Sequence, residues 1–310
     1  MNSDLPGSDS RLWRPNRRRS KKIQFVVKAI CGLFAVVSVF TTIGIVLTLI
    51  FETIQFFQEI PLWQFLTDTR WTPLFSSAQF GIIVLISATL RTSVISILVA
   101  LPLGLFSAIC LSEYASPKAR KILKPILEIL AGIPTVVYGY FALLFFTPLL
   151  QNFIPDLQGF NTLSAGVVLG IMITPLVASL SEDAIYAVPR SLRDGAYALG
   201  ATKRETIVSV ILPAALSGIV SSVILAISRA IGETMIVTLA AGQNPTLGIN
   251  PFVPAMTMTA FIVNTSLGDT PAGSLAYKTI YAVGMTLFLI TLVLNIFSFW
   301  FVRRFREKYE

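Results

Sequence analysis

SSVILAISRAIGETMIVTLAA, residues 221–241, is long and apolar enough to cross a bilayer, yet it carries Arg229 and Glu233 four positions apart. An arginine near the middle of a bilayer costs about 2.5–3.5 kcal/mol on the insertion scale. A chain keeps such a group where it faces a protein interior, an aqueous path or a partner charge. On a continuous helix, residues i and i+4 share a face, so the spacing predicts that the carboxylate neutralises the guanidinium. Two readings stand at this point: a buried structural ion pair, or an anion site on a transport path.

The flanking sequence has the same character. The chain is 310 residues, 54% hydrophobic and only 13% charged, too apolar for a soluble domain of this length. A helix needs about 20 apolar residues to cross hydrocarbon. Six segments meet that length, near 25–50, 80–111, 125–150, 163–188, 214–242 and 277–302. The expected fold class is therefore all-α, a polytopic membrane protein with six transmembrane helices in a lipid bilayer. Residues 1–24 form a cytoplasmic N-terminal tail, and 25–310 form the transmembrane domain.

Lysine and arginine placement sets the orientation. They cluster in the N-terminal tail from Arg11 to Lys22, between Lys118 and Lys124, between Arg190 and Arg204, and from Arg303 to Lys308. The opposite connections hold Arg70 and Lys278. Both termini are thus expected on the cytoplasmic side. The net charge of +8 reflects topology, and no nucleic-acid partner is expected because an apolar span follows the basic tail at once. That first span is too long for the core of a signal peptide and lacks a small-x-small cleavage site, so it reads as uncleaved.

The chain has no histidine, which excludes His-based acid–base chemistry and His-ligated metals. Cys31 and Cys110 lie within predicted spans without CxxC spacing and read as buried apolar side chains. No GxxxxGK[ST] loop occurs, so the chain does not bind ATP in the P-loop manner. No cofactor or metal is expected, and the chain itself is not an enzyme.

Other features point to packing and membrane contact. In the outward segment 51–79, Phe56, Phe57, Trp63, Phe65 and Trp71 suit a membrane–water interface. Ser96, Ala100, Gly104 and Ala108 recur every fourth residue in the second span, as do Gly218, Ser222, Ala226 and Ala230 in the fifth. Small residues at that spacing let helices approach closely in lipid, so these two spans are candidates for a tight core around a path. Pro102, Pro134 and Pro175 can each kink a span. Arg91, inside the second span, has three open roles: pairing with an acid, lining the path, or reaching outer headgroups. Glu128 reads as interfacial.

Residues 188–215, VPRSLRDGAYALGATKRETIVSVILPAA, form the most structured loop. Ser191 and Asp194 have the S-x-x-D form of a helix start. Gly200 can end that helix in the left-handed conformation. Thr202 to Glu205 is a capping box for the next one. Leu192, Ala196 and Leu199 give the first helix an apolar side, and the compact whole suits docking into a groove of another protein.

Asp194-Gly195-Ala196, then Gly200, then Ile211-Leu212-Pro213, resemble the coupling loop of ABC importer permeases, E-A-A-x3-G-x9-I-x-L-P. Asp replaces Glu, Gly replaces the first Ala, and the proline end differs by a residue. Gly in place of Ala costs about 1 kcal/mol of helix propensity. LSEYASPKAR (111–120), EILAGIPTVVYG (128–139), SRAIGETM (228–235), TAFIVNTSLGDTPAGS (259–274) and the ending RRFREKYE are similar to phosphate-specific ABC importer permeases, the PstC type more than its PstA paralogue. The resemblance runs from about residue 25 to the end.

It implies the fold of type I ABC importer permeases and inorganic phosphate as substrate. The partners it implies are a PstA-type sister permease, a PstB-type ATP-binding dimer that docks on 189–206, and a PstS-type periplasmic phosphate-binding protein. Asp194, Gly195, Ala196 and Gly200 would couple to the ATPase, and Arg229 and Glu233 would lie on the substrate path. A sulfate or molybdate importer of the same family is an alternative. So, more remotely, is an ion-coupled secondary transporter, for which an inverted internal repeat is missing.

Overall fold

The computed structural model describes residues 17–75 and 77–305. Most of the predicted N-terminal tail, residues 1–16, and the end of the RRFREKYE motif, residues 306–310, lie outside the described residues. Among those described the protein is helical, with one isolated bridge between Trp71 and Phe80. The chain divides into two compact units, 1–51 and 52–310. The described part of the first unit is a single stretch of the helix α1 (Arg17–Glu59). From Ile23 to Glu59 it is long and apolar enough to cross a membrane.

The second unit begins with the end of α1 and continues into the short α2 (Leu62–Thr67). Here the expected interfacial aromatics turn inward. Phe56, Phe65 and Trp71 are buried with Phe80 and Phe261, and Trp71 stands edge-on to Phe261 at 5.0 Å. Such edge-to-face pairs add about 0.5–1.5 kcal/mol each beyond area burial. Trp63 alone of the larger rings stays exposed as expected.

The helix α3 (Ile83–Ile109) extends through a π turn (Cys110–Tyr114), making a span from Ile83 to Tyr114. The third predicted span is broken. The helix α4 (Pro117–Ala131) meets the stretch α5 (Thr135–Phe141), π turn (Ala142–Phe146) and α6 (Thr147–Gln151) at a bend of 83°. Pro134 causes it, because the residue before a proline is pushed out of helical geometry. The helix α4 buries none of its residues. It is amphipathic, with Lys118, Lys121 and Lys124 on its polar side and Ile122, Ile126 and Ile129 exposed.

The fourth span, α7 (Thr162–Tyr186), is the central helix. Its start is capped by Asn161, whose Oδ1 accepts from the N–H of Ser164 at 2.6 Å. After it come α8 (Arg190–Ala198) and α9 (Lys203–Thr206). A π turn (Ile207–Ile211) follows, then α10 (Leu212–Ile231). Together α9 to α10 form a span from Lys203 to Ile231. The chain closes with α11 (Met258–Leu267) and α12 (Leu275–Phe305). Among the described residues there are thus five helices long and apolar enough to span a membrane, or six spans with the bent pair counted as one.

The small-residue stripes of the second and fifth spans, expected to form a tight core, both face α7. A Cβ added at Gly104 would stand 2.7 Å from the Val177 side chain. One added at Gly218 would stand 2.5 Å from the Ala184 Cβ. From the α7 side, a Cβ at Gly170 would meet the Ser96 carbonyl oxygen at 2.6 Å. The hydroxyls of Ser181 and Ser222 bond across the α7–α10 contact at 2.9 Å. Close backbone approach on two sides of α7 therefore holds the bundle, and Ala100 of the first stripe shares one buried cluster with Ala226 and Ala230 of the second. Pro102 and Pro175 sit inside α3 and α7, which continue past them. Cys31 and Cys110, expected inside, are both exposed.

Candidate functional site

The fifth span, predicted to run to 242, leaves helical geometry at Gly232. The helix α10 ends at Ile231, and a separate segment starts at Met235 and becomes a π turn (Val237–Ala241). This break separates Arg229 from Glu233. Arg229 lies in the last turn of α10 and is exposed. Its Nη2 approaches the Met172 sulfur at 3.8 Å. Glu233 is 7% exposed, and its Oε1 accepts from the N–H groups of Met235 at 3.1 Å and Ile236 at 3.5 Å. The carboxylate therefore caps the second segment. A negative charge is favoured at a helix start, as a positive one is at a helix end. Among the described residues no ion pair joins Arg229 to Glu233, contrary to the i, i+4 expectation.

The break is held from outside. Thr259, at the start of α11, donates its hydroxyl to the Glu233 carbonyl at 2.7 Å. Gly139 of α5 lies so close that a Cβ there would meet the Met235 carbonyl oxygen at 3.2 Å and Leu239 Cδ1 at 2.8 Å. The result is a membrane-embedded guanidinium at the end of one half-helix, exposed on this chain and without a carboxylate partner among the described residues. Discontinuous membrane helices of this form place backbone and charged groups at midplane binding sites.

The second candidate element lies at the other end of α7. The helix α8 starts after Pro189, and Ser191 makes no capping bond, so the expected S-x-x-D start is displaced by the proline. Its end is as predicted. Gly200 has φ +84°. The N–H of Gly200 donates to the Tyr197 carbonyl at 2.9 Å, and that of Ala201 to Ala196 at 3.1 Å, the double bond of a Schellman end. The Thr202–Glu205 capping box is complete, with the Thr202 N–H donating to Glu205 Oε2 at 2.8 Å. The inward side of α8 holds Leu192, Arg193 and Ala196, while Leu199 is 91% exposed, against expectation. Leu192 packs on Val188, Ile207 and Ile211. Asp194 and Gly195 are exposed.

A charge network beneath α8 escaped the sequence reading. Arg193 Nη1 pairs with Glu113 at 2.8 Å, and its Nη2 donates to the Ile185 carbonyl at 2.9 Å. Glu182, fully buried, pairs with Arg120 and, at 2.9 Å, with Lys124. Lys124 also reaches Asp183 at 2.9 Å. Arg120 stacks over the Tyr186 ring at 4.2 Å, and Lys203 over Tyr114 at 4.4 Å. Arg193 thus ties α8 to the turn that ends α3 and to the end of α7, and Glu182 and Asp183 tie α7 in turn to α4. An acid inside the otherwise apolar run 162–186 was the available signal. Its partners, far away in sequence, were not legible.

Comparison with known proteins gives consistent results. Residues 100–309 match the family model described as binding-protein-dependent transport system inner membrane component. A probable ABC transporter permease of Bacillus subtilis, YqgH, is 36% identical over 74% of this chain and 74% of its own. The phosphate transport system permease protein PstC of Haemophilus influenzae is 33% identical over 89% of this chain and 92% of its own. That of Pasteurella multocida is 31% identical over 94% and 96%. Among solved structures, a bacterial alginate ABC transporter chain matches with a TM-score of 0.65 at 20% identity, covering 96% of this chain and 99% of that one. A chain of the MetNI methionine ABC transporter matches with 0.53 at 18%, covering 73% and 95%. The fold is that of type I ABC importer permeases.

Proposed function

The chain belongs to the family of binding-protein-dependent transport system inner membrane components, and from that premise we propose that it carries inorganic phosphate into the cytoplasm by alternating access. The observation that carries this reading is Arg229, a guanidinium in a membrane span that is exposed on this chain and has no carboxylate partner among the described residues. A guanidinium offers a planar fork of donors matched to phosphate oxygens. Relatives that bear the name of phosphate permeases at 31–33% identity over nearly the whole chain favour phosphate among the oxyanions.

In this reading Arg229 holds hydrogen phosphate near the break at Gly232. Glu233, whose Oε1 is engaged in capping, accepts a hydrogen bond from the protonated phosphate oxygen on Oε2. Sulfate has no proton to give near neutral pH, so the carboxylate would repel it. Asp194, Gly195, Ala196 and Gly200 form the surface that receives a PstB-type ATPase dimer, which hydrolyses ATP. A PstA-type sister permease covers the exposed Arg229 face and completes the path. A PstS-type binding protein delivers phosphate from outside.

Proteoliposomes holding this chain with those partners test the substrate. The expected result is ATP-dependent uptake of labelled phosphate that excess sulfate or molybdate leaves unchanged. Uptake of labelled sulfate or molybdate in its place would overturn the assignment.

A further inference from the structure

Arg91 lies in the third turn of α3, about 12 Å along the helix from its start, inside the span from Ile83 to Tyr114. Its Nη1 donates to the carbonyls of Gly248 and Asn250, each at 2.8 Å. Its Nε and Nη2 are buried and have no partner. Those two N–H groups share one edge of the planar guanidinium, the edge that grips two oxygens of a carboxylate or phosphate in parallel. Leaving charged donors unpaired away from water is costly, and an arginine within a span is itself costly.

Among the described residues no ion pair compensates this charge. Arg91 lines a cavity of about 370 Å³ with Gln158, Asn244, Thr246 and Asn250, and no carboxylate is among its lining residues. The cavity lies between the connections that follow α6 and the Val237–Ala241 turn, at the end of the bundle away from α8. By the distribution of lysine and arginine, that is the outer side. The loop that supplies the two carbonyls is loosely seated: Gly248 and Asn250 are exposed and Ile249 is 92% exposed. A side-chain atom added at Gly248 would meet nothing within 4 Å. The loop can therefore move without unpacking the core.

We infer that Arg91 is an outer oxyanion site, where the Gly248–Asn250 loop moves aside to admit a tetrahedral anion such as hydrogen phosphate, which seats two oxygens on the open Nε–Nη2 edge before passing inward to Arg229. In the empty state, the neutral carbonyls of Gly248 and Asn250 solvate the charge. An arriving anion fills the edge those carbonyls leave open, and its two oxygens match the parallel N–H groups as a bidentate pair. This inference rests on the phosphate-import reading for the direction of passage. It does not rest on it for the anion site itself.

The test uses right-side-out membrane vesicles carrying the whole importer. Asn244→Cys, at the cavity rim, is introduced into a chain with Cys31→Ser and Cys110→Ser, and its labelling by an impermeant maleimide is timed with phosphate or with chloride at equal ionic strength. The expected result is several-fold slower labelling in phosphate. Arg91→Gln should abolish that protection and Arg91→Lys, which keeps the charge without the fork, should weaken it. Copurification of the partner subunits confirms that each variant is assembled. Absent protection, or equal protection in Arg91→Gln, would overturn the site. Phosphate uptake by the same vesicles with binding protein added separates the two claims. Uptake without protection sinks the Arg91 site alone, and protection without uptake sinks the import reading alone.

Discussion

Gly232 is where Arg229 and Glu233 part, and the parting gives each a separate task. Glu233 caps the segment that begins at Met235, while Arg229 keeps its charge uncompensated by any acid of the described residues. The two roles of Glu233 can be resolved by substitution. Glu233→Gln keeps an oxygen for the Met235 N–H but removes the charge. Its thermal stability in detergent should stay near wild type while sulfate exclusion weakens. Normal phosphate uptake with unchanged sulfate exclusion would sink the proton-sensing role. Glu233→Ala removes the cap as well and should lower stability by about 1 kcal/mol. Glu182 makes a different prediction. It is buried beneath two cations, and Glu182→Ala would leave Arg120 and Lys124 without their shared acid. Hydrogen bonds to charged groups contribute about 1.5–3 kcal/mol, so a clear fall in melting temperature is expected, and an unchanged one would show that the network is dispensable.

At the scale of elements, close glycine contacts and open glycines should behave oppositely. Gly170→Leu places atoms against the Ser96 carbonyl of α3, and overpacking of this kind costs roughly 1–3 kcal/mol. Gly195→Ala meets nothing within 4 Å and relieves about 1 kcal/mol of helix cost. The first should reduce the yield of folded permease, and the second should leave that yield intact; the reverse order would contradict the helix packing described. These elements also show what was legible. Long apolar runs announced the spans, and the Gly200 end and the Thr202 capping box were readable because local backbone chemistry sets them. The break at Gly232 was not, because hydropathy runs unbroken from 221 to 241 and the i, i+4 inference presumes one helix. Phe56, Phe65 and Trp71 read as interfacial, since aromatic residues suit both a headgroup layer and a core; only Phe80 and Phe261, distant in sequence, decide for the core. The Arg193–Glu113 and Arg120–Glu182 pairs were hidden for the same reason.

Across the whole permease, the proposed function requires that movement of α8 reach the break at Gly232. Arg193 joins α8 to the turn that ends α3 and to α7, Glu182 joins α7 to α4, and α7 packs against α10 along its small-residue stripe. The Gly200 turn sets the angle at which α8 is presented. Its φ of +84° costs an L residue roughly 1–2 kcal/mol. Gly200→Val should therefore distort the docking surface and leave complexes that hydrolyse ATP with little phosphate uptake, as read from the ratio of the two rates. Wild-type coupling in that variant would count against docking through α8.

The most direct measurement compares Arg229→Gln with wild type in proteoliposomes containing the sister permease, ATPase and binding protein, reading phosphate uptake and phosphate-dependent ATP hydrolysis together with subunit assembly. The predicted result is loss of uptake from a complex that still assembles, which places Arg229 on the path. Unchanged uptake would contradict it, make Arg229 a structural residue and send the search for the anion contacts to other helices or to the sister subunit.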